Sequence, residues 1–201
     1  MIIKSICICK KNKKRVNIYD EEGYVFSCYL DTVFEHGLKN DIEISNEEIK
    51  EILKTDEVKY ATETALKLLN VRIRTEKEIR LALAQKGISP QSIDTSVQTL
   101  YEYGLLNDED FADIYAKELS EKYGVKKVAQ KLVQKGINCS AANAAAAKYR
   151  NNDSLKVYYE RVRNKFTGTS YETEQKIIRS LLNKGFIYDD IKRVMNGNDE
   201  E

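Results

Sequence analysis

One short block recurs three times along the chain at a single spacing. Leu83, Lys86, Gly87 and Ile88 form the first copy. Leu132, Lys135, Gly136 and Ile137 form the second, and Leu181, Lys184, Gly185 and Phe186 the third. The glycines are 49 residues apart in both steps. A fixed period of this size marks stacked helical units, each too small to bury its apolar face alone. The block itself reads as a helix end. A glycine just past the last turn takes the left-handed conformation without steric cost and closes a Schellman motif, which pairs Leu83 with Ile88, Leu132 with Ile137 and Leu181 with Phe186. The lysine before each glycine lies where the helix dipole favours a cation.

Composition agrees with a mainly helical chain. The 201 residues contain one proline and nine glycines, so breakers are few. The length suffices for one or two domains with a real core. Cys7, Cys9, Cys28 and Cys139 are too few for a secreted disulfide framework. No apolar run reaches the ~18 residues of a membrane span, and no signal peptide opens the chain. A cytoplasmic protein is expected.

Residues 1–55 differ from the rest. Ile6 and Ile8, Val16 and Ile18, and Tyr24, Phe26 and Cys28 alternate at period two, which predicts three short antiparallel strands. Ser45 and Glu48 form a capping box for a short helix ending at Leu53. Helical units follow at 56–104, 105–152 and 153–201, with first helices from Tyr60, Asp108 and Asp153. Thr75 with Glu78 forms a second capping box. Ser89 caps a further helix with Pro90 at its first position, where a missing amide proton costs nothing. Second helices are expected at Val125–Lys135 and about Glu172–Lys184, and third helices at Ser140–Tyr149 and about Asp189–Met195.

The formal net charge of +1 hides segregation. Residues 41–57 carry seven acids and two lysines, and residues 102–121 seven acids and one lysine. Residues 122–135 carry five lysines and no acid. Arg72, Arg74, Lys77, Arg80 and Lys86 stand against two glutamates in residues 71–86. The basic runs fall on or beside the second helices, so stacking of the units would align them in a stripe. Such a stripe attracts polyanions or an acidic protein groove. Tyr123 stands out among the interleaved tyrosines because it precedes Gly124 and the lysine run.

Catalytic signatures are missing. His36 is the lone histidine, and no phosphate-binding glycine loop is present. Cys7, Cys9, Cys28 and His36 match no standard zinc spacing. No enzyme activity, metal or other cofactor is expected.

Two stretches together resemble the RecX family of bacterial recombinase regulators. One is residues 69–79, with Arg72, Arg74, Glu76 and Glu78, followed by Leu83 and the Lys86–Gly87 block. The other is residues 100–115, with Leu100, Gly104, Asp108, Glu109, Phe111, Ala112 and Tyr115, followed by Gly124 and residues 132–137. The resemblance covers roughly residues 58–195, and the strand-rich start is similar to the N-terminal extension of some members. It implies three tandem three-helix units in an elongated, curved array. It also implies binding to the RecA filament on single-stranded DNA, suppression of its ATP hydrolysis and strand exchange, and weak DNA binding in some members. Where many members carry an arginine about one turn after the tyrosine, this chain has Glu118 and Leu119, with Lys117 the nearest base. The expectation is therefore a monomeric, non-catalytic modulator of RecA that does not enter membranes. Its contact residues are expected to be Arg72, Arg74, Arg80, Lys86, Tyr123, Lys126, Lys127, Lys131 and Lys135. A helical DNA-binding protein acting without RecA, or a helical-repeat protein scaffold, are the alternatives.

Overall fold

The computed structural model describes residues 1–166 and 171–197. They divide into two compact units. One holds Met1–Arg72 with Ile79–Leu106, and the other holds Ile73–Glu78 with the residues from Asn107 onward.

The first unit opens with the three expected strands, β1 (Ser5–Ile8), β2 (Arg15–Tyr19) and β3 (Tyr24–Tyr29). They form an antiparallel sheet in the order β1-β2-β3, with Ile18 opposite both Ile6 and Phe26, and Val16 opposite both Ile8 and Cys28. The alternation places Val16, Ile18, Phe26 and Cys28 in a core with Ile3, Val33, Leu38, Ile44 and Ile52. Ile8 escapes it at the sheet edge and is exposed. Cys28 faces this core, while Cys7 and Cys9 lie on the opposite face. Burial pushes the Cys28 thiol up to about 11, and the charge of Asp56 adds to the shift.

Helix α1 (Leu30–Glu35) follows β3 directly and was not foreshadowed by the sequence. Its cap position, Tyr29, makes no side-chain capping bond, so no start signal marks it. Helix α2 (Asn46–Leu69) begins at the Ser45–Glu48 capping box, as expected. It then runs unbroken through Leu53 and Tyr60, where two helices had been expected. No glycine or proline interrupts that stretch. Asp56, which could have started a new helix, instead turns toward the sheet. It accepts from the Tyr29 amide at 2.5 Å, Arg15 Nη2 at 2.8 Å and Thr32 Oγ1 at 3.4 Å. Buried carboxylates persist when paired and hydrogen-bonded in this way.

Three cores of like design follow. The first packs Ala61 and Ala65 of α2 against Ile79 and Leu83 of α3 (Glu76–Ala84) and Ile93, Val97 and Leu100 of α4 (Pro90–Glu102). The second joins α5 (Asp108–Ser120), α6 (Val125–Lys135) and α7 (Cys139–Lys148) through Phe111, Ala116, Val128, Leu132, Ala142 and Ala146. The third joins α8 (Asn152–Arg163), α9 (Tyr171–Asn183) and α10 (Tyr188–Asn196) through Leu155, Ile177, Leu181, Phe186 and Ile191. Helix α7 starts one residue before its expected position because Asn138 caps it, accepting from the Ala141 amide at 2.8 Å.

The repeated glycines behave as helix terminators. Gly87, Gly136 and Gly185 have φ of 78°, 105° and 88°. The amides of Ile88, Ile137 and Phe186 reach back to the carbonyls of Leu83, Leu132 and Leu181 at 3.4, 3.1 and 3.3 Å, which completes three Schellman motifs.

Candidate partner-binding surface

The second compact unit contains two junctions built to one plan. At the first, the carbonyl of Lys135, at the end of α6, accepts from Thr75 Oγ1 at 2.7 Å at the start of α3. At the second, the carbonyl of Lys184, at the end of α9, accepts from the amide of Gly124 at 3.0 Å at the start of α6. Thr75 and Gly124 are one repeat apart, as are Lys135 and Lys184. In each case the negative end of one helix meets the positive end of another. At the second junction the Gly185 carbonyl also accepts from the Lys126 amide at 3.1 Å. The first amides of α6 are thus met by backbone.

Close approach explains the glycines there. A β-carbon on Gly124 would lie 2.3 Å from the Phe186 nitrogen, and one on Gly185 would lie 2.4 Å from the Lys127 nitrogen. On Gly136 it would meet Lys77 Cβ at 2.6 Å, whereas Gly87 has open space.

The side chains around the second junction are cationic and aromatic. Lys131 Nζ lies 5.0 Å and Lys184 Nζ 5.3 Å from the centre of the Tyr123 ring. Lys184 also lies 5.0 Å from the Tyr158 ring, which Arg161 approaches at 5.4 Å. Ammonium groups over tyrosine faces gain about 0.5–1 kcal/mol each at exposed sites and keep their charge available to a partner. Lys127 Nζ donates to Gln130 Oε1 at 3.0 Å, and Lys126 is exposed. Among the described residues, no carboxylate pairs with Lys126, Lys127, Lys131 or Lys184.

Other bases have internal partners. Lys135 Nζ pairs with Glu78 at 2.6 Å and sits 5.8 Å from the Tyr115 ring, so its charge is already matched. Arg80 pairs with Asp94, Lys148 with Asp113, and Arg150 with the buried Asp190 through Nε at 3.0 Å. Arg72 and Lys86 are exposed in the first unit, while Arg74 is half-buried in the second. The structure therefore brings together Tyr123, Lys126, Lys127 and Lys131 from the expected set, and adds Lys184, Tyr158 and Arg161. The 49-residue spacing that equates Lys184 with Lys135 was the signal for the first of these. The tyrosines and Arg161 had no comparable mark.

These features define a class: tandem three-helix units behind a small antiparallel sheet, with an acid-poor basic and aromatic face. The chain belongs to the RecX family of regulatory proteins. The "Regulatory protein RecX N-terminal domain" matches residues 1–45, "RecX, first three-helix domain" residues 61–100, and "RecX, third three-helix domain" residues 152–195. The chain is 33% identical over 193 residues to regulatory protein RecX of Clostridium perfringens (strain SM101 / Type A), covering 93% of this chain and 91% of that one. It is 29% identical over 199 residues to regulatory protein RecX of Clostridium botulinum (strain Eklund 17B / Type B), covering 96% and 94%. The crystal structure of RecX from Lactobacillus salivarius aligns with a TM-score of 0.67 at 28% identity, covering 72% of this chain and 98% of that one. No described helix is long and apolar enough to cross a membrane.

Proposed function

We propose that this protein is a non-catalytic regulator that binds the RecA filament on single-stranded DNA and lowers its ATPase and recombination activity. It acts in the cytoplasm as a monomer without a cofactor. Tyr123, Lys126, Lys127 and Lys131 make contacts to the filament, as do Arg72, Arg74 and Lys86; Arg80 and Lys135 do so by exchanging Asp94 and Glu78 for acids of the partner. The division at 1–55, 56–104, 105–152 and 153–201 belongs to the same reading. Its principal support is the cluster of Lys126, Lys127, Lys131 and Lys184, whose charges have no carboxylate partner among the described residues. The family's regulatory name agrees with it. A basic face whose lysines have no carboxylate partner attracts an acidic surface and speeds encounter with it. The test is RecA ATPase on single-stranded DNA with this protein added below the concentration of RecA. The rate should fall. Bare DNA in place of the filament, followed by anisotropy at several salt concentrations, separates this reading from DNA binding alone, which would show sub-micromolar affinity and a steep salt slope without RecA.

A further inference from the structure

The two junctions also differ at a matched charged pair. At the first, Lys135 is neutralised by Glu78 at 2.6 Å. One repeat later, Lys184 takes the place of Lys135, and Lys127 takes the place of Glu78. The second junction thus carries like charge where the first carries an ion pair. The backbones there are locked together regardless, by the Gly124–Lys184 and Lys126–Gly185 bonds. Among the described residues, no carboxylate completes the site. Lys131 and Lys184 both lie over the Tyr123 ring, adding cations to the same spot.

We propose that the junction of α6 and α9 is an incomplete ion-pair site, closed by a carboxylate from a protein partner. Glu78 is the template: within this chain the matched position is filled by a glutamate side chain, not by a phosphate. An aspartate or glutamate reaching Lys184 between Lys127 and Lys131 reproduces the pair at the first junction. Helix amides contribute little, since Lys184 and Gly185 carbonyls already take them. Hydrogen-bonded ion pairs across an interface fix register and resist dissociation. The inference names the chemistry recognised at the surface assigned above and rests on that reading.

Lys127→Glu supplies the missing acid from within, and Lys184→Gln removes the cation that the partner's carboxylate pairs with. Lys50→Glu, at an exposed position of α2, is a control with the charge change of Lys127→Glu. A fluorescent polyglutamate peptide of about ten residues and a fluorescent thymidine oligonucleotide of similar length serve as probes, read by anisotropy. The wild type should bind the peptide. Lys127→Glu and Lys184→Gln should each weaken it at least tenfold, and Lys50→Glu should leave it unchanged. Lys127→Glu should also melt at or above the wild-type temperature, because it gains an internal pair. Absence of peptide binding, or equal binding by all four proteins, overturns the proposal. Dependence of the oligonucleotide on the two lysines equal to or greater than that of the peptide overturns the carboxylate assignment. The RecA ATPase assay is read separately. Failure of the wild type there removes RecA as the partner and leaves the peptide result to decide the chemistry of the site.

Discussion

The amide of Gly124 donates to the carbonyl of Lys184 at 3.0 Å, joining the start of one second helix to the end of the next. Only a residue without a β-carbon fits there, since Cβ would fall 2.3 Å from the Phe186 nitrogen.

The repeated glycines should therefore respond to alanine in a graded way, not alike. Gly87→Ala pays only for its left-handed conformation, about 1 kcal/mol. Gly136→Ala also meets Lys77 Cβ, which cannot move without its backbone, and should cost more, about 2 kcal/mol. Gly185→Ala meets the Lys127 backbone and should cost most, about 3 kcal/mol, within the range of overpacking. Denaturant melts of the three variants give the order. Stabilisation at any of the three would contradict the cap, because only a helix-interior glycine gains from alanine.

Lys127→Glu combined with Lys131→Glu reverses two charges at half-buried positions of α6, beside the buried Val128 and Leu132. Folding should change by no more than about 0.5 kcal/mol. Inhibition of RecA should fall at least tenfold, about 1.4 kcal/mol of binding. Unchanged inhibition with a normal melting curve would make these lysines an ordinary solvated face.

Asp56 ties the sheet to α2. Asp56→Ala leaves the Tyr29 amide without its acceptor and the Arg15 guanidinium with the Ser27 carbonyl alone, and should cost about 2–3 kcal/mol, less than a fully buried pair because Arg15 is partly exposed. Yet the core around Ile79, Leu83 and Leu100 contains no residue before Ala61. A chain starting at Asp56 is expected to fold, remain helical and melt cooperatively, with strand signal lost by circular dichroism. An insoluble product would place the sheet within the core of the first repeat.

Two carboxylates should pull the acid limb of stability in opposite directions. Burial pushes Glu57 up, but hydrogen bonds from Ser89 and Ser92 outweigh it and hold the group below 4.5. Its contribution is complete above that ordinary value and is lost as pH falls through the lower folded one. Asp108 goes the other way. Burial raises it above 3.8, against the bond from the Glu76 amide and with the charge of Glu76 adding. Its ionised form disfavours the fold, and that penalty is relieved as pH falls through the raised value. Glu57→Gln should thus flatten the loss of stability between pH 7 and 3, while Asp108→Asn should steepen it. Urea melts across that range give the sign for each.

What was legible in the sequence is what neighbours in the chain decide. The glycine caps, the Ser45–Glu48 box, the Ser89–Pro90 start and the end of α6 follow from contacts within five residues. The unbroken course of α2 was hidden because Asp56 finds its partners, Arg15 and Tyr29, in a distant sheet. The site was half legible for the same reason. A lysine run shows charge, but only the fold shows that Glu78 has claimed Lys135 while Lys184 has joined Tyr123. Lys148 and Arg150 likewise look free in sequence and are held by Asp113 and Asp190.

The central claim is regulation of RecA, and the RecA ATPase on single-stranded DNA tests it most directly. Added below the concentration of RecA, this protein should slow ATP hydrolysis. An unchanged rate at severalfold excess over RecA would contradict it.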